Sequence, residues 1–124
     1  MTLRILAIDD SRTIREMLRS SLEAAGFAVI TAEDGIEGLE RFNENDPDVI
    51  ITDVNMPRLD GFGVIERIRS GPRRTRVPIL VLTTESANEL KERARKAGAT
   101  GWIVKPFDDE RLISAIRRIA SVAS

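Results

Sequence analysis

The sequence predicts an α/β fold, a five-stranded parallel sheet doubly wound in the order 2-1-3-4-5 with helices on both faces, and three observations predict it. Five short apolar runs alternate with five stretches of helical periodicity along 124 residues. The runs are continuous rather than alternating, as in ILAI, VII and ILVL, which is what a strand covered by helices on both faces requires. The connections between them are short, and strand–helix–strand units of that kind wind right-handed into a parallel sheet.

Taken in order, residues 3–8 form the first strand, and Ile14, Met17, Leu18 and Leu22 recur at helical spacing until Gly26 stops the helix. Residues 27–32 form the second strand, followed by a helix marked by Ile36, Leu39 and Phe42 and closed before Pro47. The third strand, residues 49–52, leads to a helix carrying Val64, Ile65 and Ile68 and ending at Gly71 and Pro72. Residues 79–82 form the fourth strand. The helix after it, residues 87–97, offers only Leu90 and alanines among Lys91, Arg93, Arg95 and Lys96, so weak packing and an exposed face are expected. Residues 102–104 form the last strand. Asp108, Asp109 and Glu110 then open a helix with Leu112, Ile113, Ile116 and Ala120 on one face, their charge favourable at its N-terminus.

Composition bounds the function. The chain is 42% hydrophobic and 31% charged, which suits one compact domain, 1–124, with no room for a second. Nineteen basic residues against twenty acidic ones give a net charge of -1, so no nucleic-acid or membrane partner is implied. Arg73, Arg74 and Arg76 lack interleaved aromatics and read as a solvated loop. There is no cysteine for a disulfide or thiolate site, and the N-terminal apolar run is too short for a signal or a span, which makes the cytoplasm the expected location. The absence of histidine removes the commonest general base and transition-metal ligand. Chemistry here has to run on carboxylates.

Asp9, Asp10, Asp53, Thr83 and Lys105 each fall where an apolar run stops, and in an open α/β sheet ligands bind outside the carboxyl ends of the strands, at the switch point. Strands 1 and 3 flank that point, so three carboxylates converge on it. At about 5 Å and an effective dielectric near 20 they repel by on the order of 3 kcal/mol per pair, a strain that stability alone does not explain. Singly, any of them, Asp10 with Ser11 above all, reads equally as a helix cap. Together they call for a hard dication with oxygen ligands, and magnesium fits. Three carboxylates, the dication and Lys105 then sum to neutrality, and one carboxylate, Asp53 at the tip of the central strand, can act as a nucleophile toward phosphorus.

With ILAIDDSRTIR, ITDVNMPRLDG, LVLTTES and GWIVKPF at their spacings, the chain resembles the receiver domains of two-component response regulators, most of all the single-domain chemotaxis regulators of the CheY type, whose sheet is flavodoxin-like. The resemblance implies that Asp53 accepts a phosphoryl group from a phosphohistidine of a histidine kinase. It implies that Asp9, Asp10, Asp53 and the carbonyl of Asn55 surround Mg2+, that Thr83 and Lys105 contact the phosphoryl oxygens, and that the Lys105–Pro106 bond is cis. Thr83 and the residue three before Lys105 form the switch in that family. Here the latter is Trp102 where Tyr or Phe is usual, a larger ring whose indole N–H needs a partner if buried. Asn55 and Glu85 match positions that tune dephosphorylation, in the pairing of the short-lived chemotaxis type. Gly61, in the loop bracketed by Met56-Pro57 and Asp60-Gly61, is expected to serve backbone geometry.

Two rivals are weaker. A flavin-binding carrier would cradle a phosphate in its first βα turn, where Asp9 and Asp10 would repel it, and an Asp-nucleophile phosphatase needs a second acid and a lid. No GxxxxGK[ST] occurs, so ATP is not the expected donor. Because the chain stops just after its last helix, no output domain is expected, and output is a protein contact through helix 4, strand 5 and helix 5. The resemblance suggests a flagellar motor switch protein as target; a phosphate sink or relay in a non-motility pathway is the alternative.

Overall fold

The computed structural model describes residues 2–72 and 76–123, the last three by their backbone only. Its elements run β1 (Arg4–Ile8), α1 (Arg12–Ala24), β2 (Ala28–Ala32), α2 (Gly35–Asn45), β3 (Val49–Thr52), α3 (Gly61–Ser70), β4 (Ile79–Thr83), α4 (Asn88–Ala97), β5 (Gly101–Val104) and α5 (Asp109–Ala123). The strands pair in parallel in the order β2-β1-β3-β4-β5, as the continuous apolar runs require.

Because side chains alternate across a strand, each run feeds two cores. Leu6, Ile8, Ile50, Ile79 and Val81 point to one face, where Phe42 of α2, Phe62, Ile65 and Ile68 of α3 and Ala94 of α4 cover them. Ile5, Ala7, Ile51, Leu80 and Leu82 point to the other, against Leu18 and Leu22 of α1 and Leu112 and Ile116 of α5. Each large apolar side chain fully buried in these layers contributes about 1.5–3 kcal/mol.

The expected boundaries hold to within a residue, and two side chains differ in kind. Thr83 lies inside β4, because its pairing with Val104 extends the ladder to that position. Met17, grouped with the buried stripe of α1, is 49% exposed: it stands about 100° around the helix from Leu18 and faces a shallow groove lined by Thr13, Ser20 and Phe107. α4 buries only Ala94, in keeping with its charged sequence. Arg73 and Arg74 lie outside the described residues, and Arg76 is exposed.

Candidate functional site

β1 ends at Ile8, so Asp9 and Asp10 sit where the chain turns into α1. Ser11, rather than Asp10, caps that helix, its hydroxyl accepting from the N–H of Ile14. The N–H of Asp9 donates to the carbonyl of Ala32, and the Arg15 guanidinium donates to the carbonyl of Asp9 at 2.8 Å. The Asp9 carboxylate is thus buried on a fixed backbone, with Oδ1 accepting from the N–H of Ser11 at 2.9 Å.

Asp53 follows β3 and is placed by its N–H, which donates to the carbonyl of Ile8 at 3.0 Å. Its Oδ1 accepts from the N–H of Val54 at 2.6 Å, which sets the plane of the carboxylate. Gly61 packs so closely that a Cβ there would fall 2.2 Å from the Asp53 carbonyl oxygen, so its role is backbone approach, as expected.

Lys105 arrives from the end of β5, its N–H donating to the carbonyl of Thr83 at 2.7 Å, and the bond to Pro106 is cis. Its Nζ donates to Asp9 Oδ2 at 2.7 Å and to Asp53 Oδ2 at 2.9 Å. Burial disfavours the ammonium, yet the two carboxylates outweigh it and hold Lys105 above its ordinary pKa. Burial also dominates at Asp9, whose carboxyl lies above its ordinary value despite the bonds from Lys105 and Ser11.

Asp10 completes the cluster. One oxygen from each of Asp9, Asp10 and Asp53 lies within 4.8 Å of the others, and the Asp10 carboxylate is exposed. Oxygen donors at that spacing, one of them open to solvent, suit a hard dication that keeps part of its water shell. A single lysine serves two of the three carboxylates, so the cluster retains an excess of negative charge that such an ion would balance.

Around this cluster Thr83 is fully buried and its Oγ1 accepts from the N–H of Glu85 at 3.3 Å. The Asn55 amide donates to Glu85 Oε1 at 3.1 Å, and the Trp102 indole N–H donates to the Glu85 carbonyl at 3.1 Å. The indole therefore has the partner that its burial demands, and the ring packs against the core under α4. All eight residues singled out from the sequence gather at this end of the sheet. The sequence pattern does not single out Arg15 or the pair Asp34 and Arg58 as site residues; Asp34 opens D-G-I-E, an N-terminal helix signal, whereas nothing local in the sequence marks Arg58.

A switch-point crevice lined by buried acids, with a lysine reaching across it from the last strand, defines a class of α/β domain built around its strand ends rather than around a cofactor fold. Comparison with known proteins makes the assignment specific: the response regulator receiver domain matches residues 5–117, and the chain belongs to that family. The chemotaxis protein CheY4 of Vibrio cholerae is 43% identical, over 96% of this chain and 99% of that one, at a TM-score of 0.91. Response regulator MprA of Mycobacterium leprae is 43% identical over 117 residues, 94% of this chain and 50% of the relative. The receiver domain of the sensor histidine kinase PA1611 from Pseudomonas aeruginosa, solved with a magnesium ion coordinated in its active-site cleft, is 26% identical over 98% of this chain and 99% of that one, at a TM-score of 0.89. The chain spans about half the length of the curated relatives it matches. Among the described residues no helix is long and apolar enough to cross a membrane.

Proposed function

We propose that this receiver domain is a phosphorylation-activated switch in which Asp53 is the acceptor. The observation that carries the reading is the bridge from Lys105 to Asp9 and Asp53 beside the open carboxylate of Asp10. Asp53 attacks phosphorus, a new O–P bond forms, and the P–N bond of the kinase phosphohistidine breaks, with imidazole leaving. None of the 124 residues is a histidine, so the donor lies outside this domain. Val54 holds the attacking carboxylate in orientation, and Lys105 exchanges a carboxylate partner for phosphoryl oxygens, where its charge offsets what develops in the transition state. Thr83 supplies a hydroxyl to the same oxygens and gives up its contact with Glu85 to do so. Asp9, Asp10, Asp53 and the carbonyl of Asn55 would hold Mg2+, which when bound neutralises charge between the carboxylates and the phosphoryl group. Magnesium in the cleft of the PA1611 receiver supports that choice.

Asn55 and Glu85, joined by a hydrogen bond, sit where they tune access of water to the phosphorylated Asp53, and self-catalysed dephosphorylation returns the switch to rest. Trp102 links that pair to β5, and the output surface is the face of α4, β5 and α5. A chemotaxis role, with a kinase of that type upstream and a flagellar motor switch protein as target, is supported by the near end-to-end match to CheY4 at 43% identity.

Intact mass after incubation with magnesium and acetyl phosphate tests the acceptor: wild type gains one phosphoryl group and Asp53→Asn gains none. Phosphorylation of both, or of neither, overturns the reading. Binding of the phosphorylated protein to a motor-switch peptide tests the target, and indifference to phosphorylation leaves a phosphate sink or relay.

A further inference from the structure

The loop from β3 to α3 carries Asn55, and it is fastened on two sides, the second by a contact that the phosphoacceptor reading does not use. On the β4 side Asn55 bonds Glu85. On the opposite side the Arg58 guanidinium donates from Nε to Asp34 Oδ2 at 2.9 Å, and Asp34 is 4% exposed. Asp34 is also the N-cap of α2, its Oδ1 accepting from the N–H of Glu37 at 2.8 Å. Its second oxygen accepts from Arg58, so one buried carboxylate serves both the start of α2 and the loop.

Three further features make this contact more than a surface ion pair. Arg58 is held at φ 66°, a left-handed conformation that costs a residue with a Cβ and persists only when surroundings enforce it. Gly35, the first residue of α2, leaves space that a Cβ would fill at 2.2 Å from the Leu59 carbonyl oxygen, so the loop lies directly on the helix start. The strand that leads into Asp34 is bonded to the metal-side carboxylates' own backbone, since the N–H of Asp9 donates to the carbonyl of Ala32. Arg58 thus ties the loop bearing Asn55 to the same frame that fixes Asp9.

We propose that Asp34 and Arg58 are positioning residues that hold the β3–α3 loop in register with Asp9, and so set the affinity of the acidic cleft for magnesium and the reach of Asn55 toward Glu85. The inference rests on the magnesium site proposed above. Neither residue touches the ion; they act by fixing the loop before it binds, in the way outer contacts around metal sites govern affinity.

The variants are Asp34→Asn and Arg58→Gly, with Arg58→Lys as the conservative partner. Asparagine still caps α2, and glycine adopts the left-handed conformation freely, so each removes the ion pair without adding strain. Magnesium titration followed by amide NMR shifts is expected to show a dissociation constant raised by about tenfold in Asp34→Asn and Arg58→Gly, with partial recovery in Arg58→Lys. In metal-free protein, hydrogen exchange at the amides of Leu59 and Gly61, which donate to Pro57 and Val54 within the loop, should quicken while the amides of β1 and α5 stay protected. Wild-type affinity in both variants overturns the proposal and leaves the magnesium site standing, as does faster exchange spread over the whole chain. Failure of wild type to bind magnesium at all overturns the site and this inference together.

Discussion

Lys105 and Asp53, 52 residues apart in sequence, meet with Nζ 2.9 Å from Oδ2, and the same ammonium lies 2.7 Å from Asp9. The lysine side chain is 10% exposed, so its charge is largely out of water and its worth depends on those two partners. Lys105→Met should lower stability in metal-free buffer by on the order of 3 kcal/mol, because it leaves three converging carboxylates without a cation. Thermal melts with and without magnesium check this, and the ion should restore more stability to the variant than to wild type. An unchanged metal-free melting temperature would show that the carboxylates do not need the ammonium.

Asp10 is the carboxylate that carries repulsion without compensation. Asp10→Asn should raise the metal-free melting temperature, by about 1 kcal/mol or roughly 5 °C once exposure and salt are allowed for, and the gain should vanish in saturating magnesium. Repulsion alone would extend the expectation to Asp53→Asn. The structure separates the two, since Asp53 also receives Lys105 and the N–H of Val54, and that variant should gain less than Asp10→Asn. Calorimetry on the pair decides the order.

Gly61→Ala should cost on the order of 3 kcal/mol. The added methyl would stand 2.2 Å from the Asp53 carbonyl oxygen and 3.0 Å from the Val54 Cα, both backbone atoms that cannot swing aside. Gly26→Ala is the control: it has no neighbour within 4 Å and only the strain of its φ of +96° to bear, about 1 kcal/mol. Urea unfolding of both variants tests the difference; equal losses would mean that the loop shifts freely around Gly61.

Much of this arrangement is legible in the sequence for a reason particular to doubly wound sheets. Burial on both faces makes VII and ILVL unbroken apolar runs, so the polar residues that close each run mark a strand end, and parallel strands put all such ends on one edge. That logic locates Asp9, Asp53 and Lys105 without any contact being known. It fails for contacts made between loops and helix starts, where spacing carries no period. Arg58 reaches Asp34 across 24 residues, and an arginine in a loop looks like any solvated charge. Met17 shows the opposite failure, a hydrophobic residue at helical spacing that the structure leaves exposed because a helix stripe has edges that composition does not mark.

Asp34 also gives the ion pair a pH signature. Burial opposes its charge, but the N–H of Glu37 and the Arg58 guanidinium outweigh burial and hold the carboxyl below its ordinary 3.8. A carboxyl depressed in the folded state stabilises the fold fully above its unfolded value and loses that contribution as pH falls through the folded one. Wild type should therefore exceed Asp34→Asn in stability at pH 5 to 7, with the gap closing only as pH drops beneath 3.8. Arg58→Gly should show a smaller slope over the same acid range, because the backbone bond from Glu37 survives while the guanidinium is gone. Urea midpoints for the three proteins, taken from pH 2.5 to 7, measure the slopes directly. A gap that stayed constant across that range would mean that the Asp34 carboxylate gains nothing from its charge.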